Sequence, residues 1–158
     1  MRWWNVLNAL EAHLKADPFA ALVAHADGTP SIGIGIPGVP EAPCVWISRG
    51  KNGERDLVLS QDPEPLPGTL SFQVEIWQKV PDAASEAAIL RAGALALSEL
   101  EDALLAALRR FFSPHRSTAE VLGGYYAATI QQVSPLADDS GGRQVGSLFS
   151  IVLNNRRP

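Results

Sequence analysis

The sequence predicts an α+β domain in which two short N-terminal helices and one long helix pack on an antiparallel sheet. Three observations predict it. In the strand-like run 69–80, residues 69–76 alternate between polar and apolar side chains, residues 82–112 carry a helical apolar stripe with no proline, and two further strand-like runs close the chain. The 158 residues suffice for one domain, 1–158, and leave no room for two independent cores.

The first helix follows from WWNVLNALEAHLK, where Trp3, Leu7, Leu10 and Leu14 recur at helical spacing. Asp17 before Pro18 then repeats a helix-start signal, and Phe19, Leu22 and Val23 predict a second short helix ending near Gly28. Ser31–Pro43 interleaves Ile with Gly and fills with prolines, so it suits an edge strand or an irregular arm rather than a central strand. CVWISR at 44–49 is strand-like, and the turn residues of GKNGE predict a hairpin back to Leu57–Leu59, over 44–60. Prolines at 63, 65 and 67 make 61–68 a linker or projecting loop.

In TLSFQVEIWQKV, Leu70, Phe72, Val74 and Ile76 share one face of a strand, while Ser71, Gln73, Glu75, Trp77 and Lys79 share the other. Pro81 ends it. A cap at Asp82 or Ser85 then opens a helix of roughly 28 residues, about 40 Å long, with apolar residues at 90, 94, 97, 100, 104, 108 and 111. Glu86 near its start and Arg109 and Arg110 at its end suit the helix dipole, and Ser113-Pro114 terminates it. Tyr125–Val133 and Gln144–Leu153 are predicted to pair antiparallel across the loop SPLADDSGGR.

Composition removes several functions. The net charge is −4, divided evenly along the chain, which argues against sequence-specific nucleic-acid binding. No apolar run has the length of a membrane span, and residues 1–10 carry no leader pattern, so the sequence predicts a soluble protein made in the cytoplasm. Charged residues are sparse at 19%, which suggests surface buried in an assembly.

No catalytic, cofactor or metal pattern stands out. Gly33, Gly35 and Gly38 fit a dinucleotide-loop spacing, but Pro37, Pro40 and Pro43 forbid the helix that would hold the phosphates. His13 and His25 lie on separate helices without a third ligand, and Cys44 sits in an apolar strand rather than an activating environment. No Gly-x-Ser-x-Gly elbow marks a nucleophilic serine. Glu99, Glu101 and Asp102 read as a solvated or subunit-facing patch, and Asp138-Asp139 as a polar turn without calcium-loop spacing. The sequence therefore points to a protein that is not an enzyme and needs no cofactor.

The succession LSFQVEIWQKV, then ILRAGALALSELEDALLAAL, then GGRQVGSLFSIVL resembles the bacteriophage tail-terminator proteins. In that family a strand with an aromatic near its end, here Trp77, leads into a long helix. A closing strand follows an acidic loop with an arginine, here Asp138, Asp139 and Arg143. The first helix, around Leu7, Leu10 and Leu14, occupies the family's first position, while residues 31–43 depart from the pattern.

The resemblance implies a virion protein at the neck end of the tail, assembled in the host cytoplasm. It implies a ring, usually of six copies, that ends growth of the tail tube. Its partners would be further copies of itself, the tail tube protein, a neck or connector protein and, in a contractile tail, the sheath protein. DNA would pass the lumen without specific binding, and no membrane is involved. Ile34 and Ile36 in the arm, with Lys51, Arg55, Trp77, Asp138, Asp139 and Arg143, are the candidate contact residues. The alternatives are another neck component, a tail-completion or head-closure protein, and a small ligand-binding α+β domain with its site between long helix and sheet.

Overall fold

The computed structural model describes residues 2–50, 69–112, 127–137 and 143–154. Helix α1 (Arg2–Ala16) is followed by a 3-10 helix (Pro18–Val23) and strands β1 (Ile32–Ile34), β2 (Cys44–Arg49) and β3 (Thr69–Lys79). Helix α2 (Glu86–Phe112) and strands β4 (Ala127–Ala137) and β5 (Gln144–Asn154) complete the chain. The five strands form one sheet in the order β1-β2-β3-β5-β4, antiparallel except for the parallel β1-β2 pair. The α+β architecture with a long helix on a mostly antiparallel sheet is thus present.

Alternation in β3 does what its pattern dictates. Leu70, Phe72, Val74 and Ile76 face the helices, and pairing with β5 brings Leu153, Ile151, Phe149 and Ser147 beside them on that same face. Val45 and Ile47 continue the row into β2, and Ile32 into β1. Helix α1 covers β1 and β2 with Val6, Leu7, Leu10 and Leu14, whereas α2 covers β3 and β5 with Leu100, Leu104, Leu108 and Phe111. β4 lies at the margin of this core, with its helix-side Ile130 and Val133 exposed.

Several expectations are corrected. The second helix is one tight 3-10 segment that stops at Val23, because Ala24 is extended and bridges to Pro30 around a turn at Gly28, whose φ of +85° favours glycine. β2 pairs with β1 on one edge and β3 on the other, so the hairpin partner of Cys44–Arg49 is β3; Leu57–Leu59 and the 61–68 loop lie outside the described residues. β4 continues through Pro135 to Ala137, where a loop was expected. Proline is tolerated there because β4 is an edge strand, paired on one side only among the described strands.

The segment between β1 and β2 crosses the sheet face opposite the helices. Gln144 holds it from both ends of its amide: Oε1 accepts from the Ala42 N–H at 2.6 Å, and Nε2 donates to the Pro40 carbonyl at 3.1 Å. Ala42, Cys44 and Trp77 form a second small core beneath it, flanked by Trp46 and Leu136. This crossing explains why a strand face that alternation marks as polar carries buried Trp77.

Candidate functional site

Apolar exposure is concentrated. Of the eight large hydrophobic residues exposed among the described residues, six lie in pairs on three segments: Ile36 and Val39 in the arm, Leu90 and Leu95 on α2, Ile130 and Val133 on β4. Grouped exposure of this kind marks contact surfaces, whereas scattered single residues do not.

The α2 patch arises from a length mismatch. Glu101 accepts a hydrogen bond from Ser147 Oγ, and Ser147 lies opposite Ile76, which fixes the level of α2 along the sheet. From Ile76 the strand runs only to Lys79, roughly 10 Å, while from Glu101 the helix runs back to Glu86, roughly 22 Å. The first turns of α2 therefore overhang the sheet by on the order of 10 Å. Leu90 is 66% exposed there, beside exposed Ala87 and Ala94, whereas Leu95, 61% exposed, lies level with the sheet on the side of α2 turned away from it. Gly93 faces inward against Val80. The stripe position at 90, expected in the core, is corrected by this overhang: helical periodicity continues where the sheet beneath it has ended.

Between the other half of α2 and β4 runs an open groove of about 240 Å³. Leu105, Leu108 and Phe112 form one wall and Ala128 and Ile130 the other, with Ile151 as floor and Arg109 at the rim. Its polar contributors, Arg109 and Thr129, are both exposed, so no buried polar group converges on a would-be small ligand.

On the sheet face away from the helices, a wider depression of about 640 Å³ is lined by Ser71, Gln73, Gln131, Gln132, Ser150 and Val152, with Gly50 and Phe72. None of these side chains is charged.

The sequence-derived contact residues that are described, Ile34, Ile36, Trp77 and Arg143, do not form one surface. Ile36 is exposed in the arm, but Ile34 is half-buried against the main core. Trp77 is 5% exposed, and its indole N–H donates to Glu75, so its bulk is spent inside its own chain and is corrected as a contact residue. Arg143 is exposed and pairs with Asp82 at 2.9 Å, joining the start of β5 to the segment before α2. Lys51, Arg55, Asp138 and Asp139 lie outside the described residues. Sequence reading missed Leu90, Leu95, Ile130 and Val133, and the signal available was the near absence of charge between Glu86 and Glu99, where only Arg91 intervenes.

Among the described residues no group of three His, Cys, Asp or Glu side chains could hold a metal. His13 donates from Nε2 to the Ala107 carbonyl at 3.0 Å, tying α1 to α2. Burial pushes the Cys44 thiol up to about 11, far from a nucleophilic thiolate. Among the described residues no helix is long and apolar enough to cross a membrane. No protein-family model matches the chain, and no curated protein matches it.

Proposed function

We propose that this protein is a structural, non-enzymatic ring-former of a phage tail: a tail terminator that closes the tube and offers a new surface to the neck. The observation that carries the reading is the overhanging start of α2, which presents Leu90 to solvent, with Leu95 exposed one turn on, in a stretch where Arg91 is the one charge between Glu86 and Glu99. Such a surface is covered in an assembly. A tube grows by repeating one interface, and a terminator keeps one side of that interface while replacing the other, so it needs more than one contact patch. The arm, the α2 overhang and the β4 margin supply three.

The uncharged, Gln- and Ser-lined depression on the sheet supports the same reading. Lys and Arg hold phosphates, and a channel that passes DNA works best without them. The test is the native mass of the purified full chain together with negative-stain images. A closed ring of about six copies, near 100 kDa, supports the proposal, as does co-sedimentation with tail tubes. A protein that stays monomeric and ignores tubes refutes it.

A further inference from the structure

Two of the three apolar regions are complementary in chemistry. The arm bends at Gly38-Val39, and Ile36 and Val39 on either side of that bend are 79% and 71% exposed. Glu41, two residues on, is exposed as well. The groove between α2 and β4 offers the complement: apolar walls from Leu105, Phe112 and Ile130, exposed Val133 further along β4, and Arg109 at the rim. Arg109 has no ion-pair partner among the described residues, whereas its neighbour Arg110 is engaged by Asp17.

We infer that the α2-β4 groove receives the Ile36–Glu41 bend of a second copy of this chain, with Glu41 of one copy meeting Arg109 of the next. The inference rests on the ring-forming reading and supplies its contact. Charge complementarity selects the occupant: the groove offers a cation beside an apolar cleft, and the bend offers two apolar knobs followed by a carboxylate. The bend is also costly to leave in water and cheap to order. Gln144 already anchors its far end through Pro40 and Ala42, and prolines 37, 40 and 43 limit the freedom lost on docking.

The geometry sets the kind of assembly. The bend lies on the sheet face opposite the helices, and the groove lies on the helix side at the β4 margin. One such contact leaves each of two copies with one unused patch, so the contact repeats head to tail and ends only by ring closure. The structure of the bend and the groove thus explains why a single chain could propagate around a ring.

Charge exchange in the full-length chain tests this. Glu41→Arg and Arg109→Glu each place like charges together, and each is expected to weaken self-association about fivefold or more. The double exchange restores it. Both side chains are exposed, so folding is preserved, which near-UV circular dichroism verifies. A second variant, Ile36→Asp with Val39→Asp, is expected to abolish assembly without lowering the melting temperature of the monomer. Rings that form normally in both single reversals, or a double exchange no better than either single, overturn this contact while the ring reading stands. A wild-type chain that remains monomeric at its highest soluble concentration, and does not assemble on tail tubes, overturns both.

Discussion

Asp17 and Arg110, ninety-three positions apart, form a two-point ion pair: Nε reaches Oδ2 at 2.8 Å and Nη2 reaches Oδ1 at 2.6 Å. The same carboxylate caps the 3-10 helix by accepting the Phe19 N–H at 3.0 Å. One buried side chain therefore fixes the turn after α1 to the last turn of α2, and the His13 bond to the Ala107 carbonyl at 3.0 Å adds a further tie between the two helices. Two helices that cover different halves of the sheet are locked together at this point.

Acid titration reads this lock. The hydrogen bonds from Arg110, partly opposed by burial, hold the Asp17 carboxyl down at about 2, against an ordinary value of 3.8. A depressed folded-state pKa gives stability that is full above the unfolded value and lost as pH falls through the folded one. Asp17 is nearly inaccessible but the Arg110 side chain is 47% exposed, so solvent screening trims the gain to about 1–2 kcal/mol. Unfolding free energy is expected to drop between pH 4 and pH 2. Asp17→Asn, which keeps a capping oxygen, should lose about that amount at neutral pH and show a flatter slope in the same window, measured by urea melts at stepped pH.

Gly146 is held by its neighbours rather than by backbone conformation. A Cβ there would stand 2.8 Å from the Ile76 carbonyl oxygen and 2.8 Å from Trp77 Cδ2, with the backbone atom unable to yield. Gly146→Ala is expected to destabilise by about 1–3 kcal/mol. Its thermal midpoint should fall with a change in tryptophan fluorescence, since Trp77 must move first.

Much of this fold is legible in local pattern. Period-two alternation placed β3 because both of its neighbours are strands and one of its faces is fully covered. The Ser85 hydroxyl accepts from the Ala88 N–H, as a capping residue before a long stripe should. What local pattern could not show depends on distant partners. Leu90 repeats the stripe of Leu97 and Leu104, yet where the sheet ends is set by the length of β3, not by the helix. Trp77 sits on the polar side of its strand and is buried only because a segment some thirty residues earlier crosses over it. Pro135 looks like a strand terminator, and only its place on an edge strand makes it harmless. The candidate contact patches were legible as a class, through low charge and the arm, but not residue by residue.

Cys44 gives a chemical probe of the second core. It is buried under the arm beside Trp77, and desolvation is the main cause of its raised thiol pKa. A thiol reagent at pH 8 is expected to leave the native protein unmodified and to label one thiol per chain after unfolding in denaturant. Replacing Gln144 with Ala removes both ties to Pro40 and Ala42 and should speed native-state labelling without unfolding the main core. Labelling at an unchanged rate would show that the arm is held by the Ala42–Trp77 packing alone.

Leu104 and Leu90 occupy the same stripe of one helix and take the same substitution with opposite expected consequences. Leu104 is fully buried between α2 and the sheet, so Leu104→Ala opens a cavity and should cost about 2–5 kcal/mol of unfolding free energy. Leu90 is 66% exposed on the overhang, and its loss removes little that the monomer has buried. Leu90→Ala is therefore expected to leave the unfolding free energy within about 0.5 kcal/mol while lowering self-association, measured by sedimentation velocity on the same sample. The pair separates the two uses of one amphipathic helix. If Leu90→Ala destabilises the monomer as Leu104→Ala does, the overhang is part of the fold and not a contact. If it changes neither stability nor association, the overhang contributes nothing to assembly, and the ring proposal loses the observation that carries it.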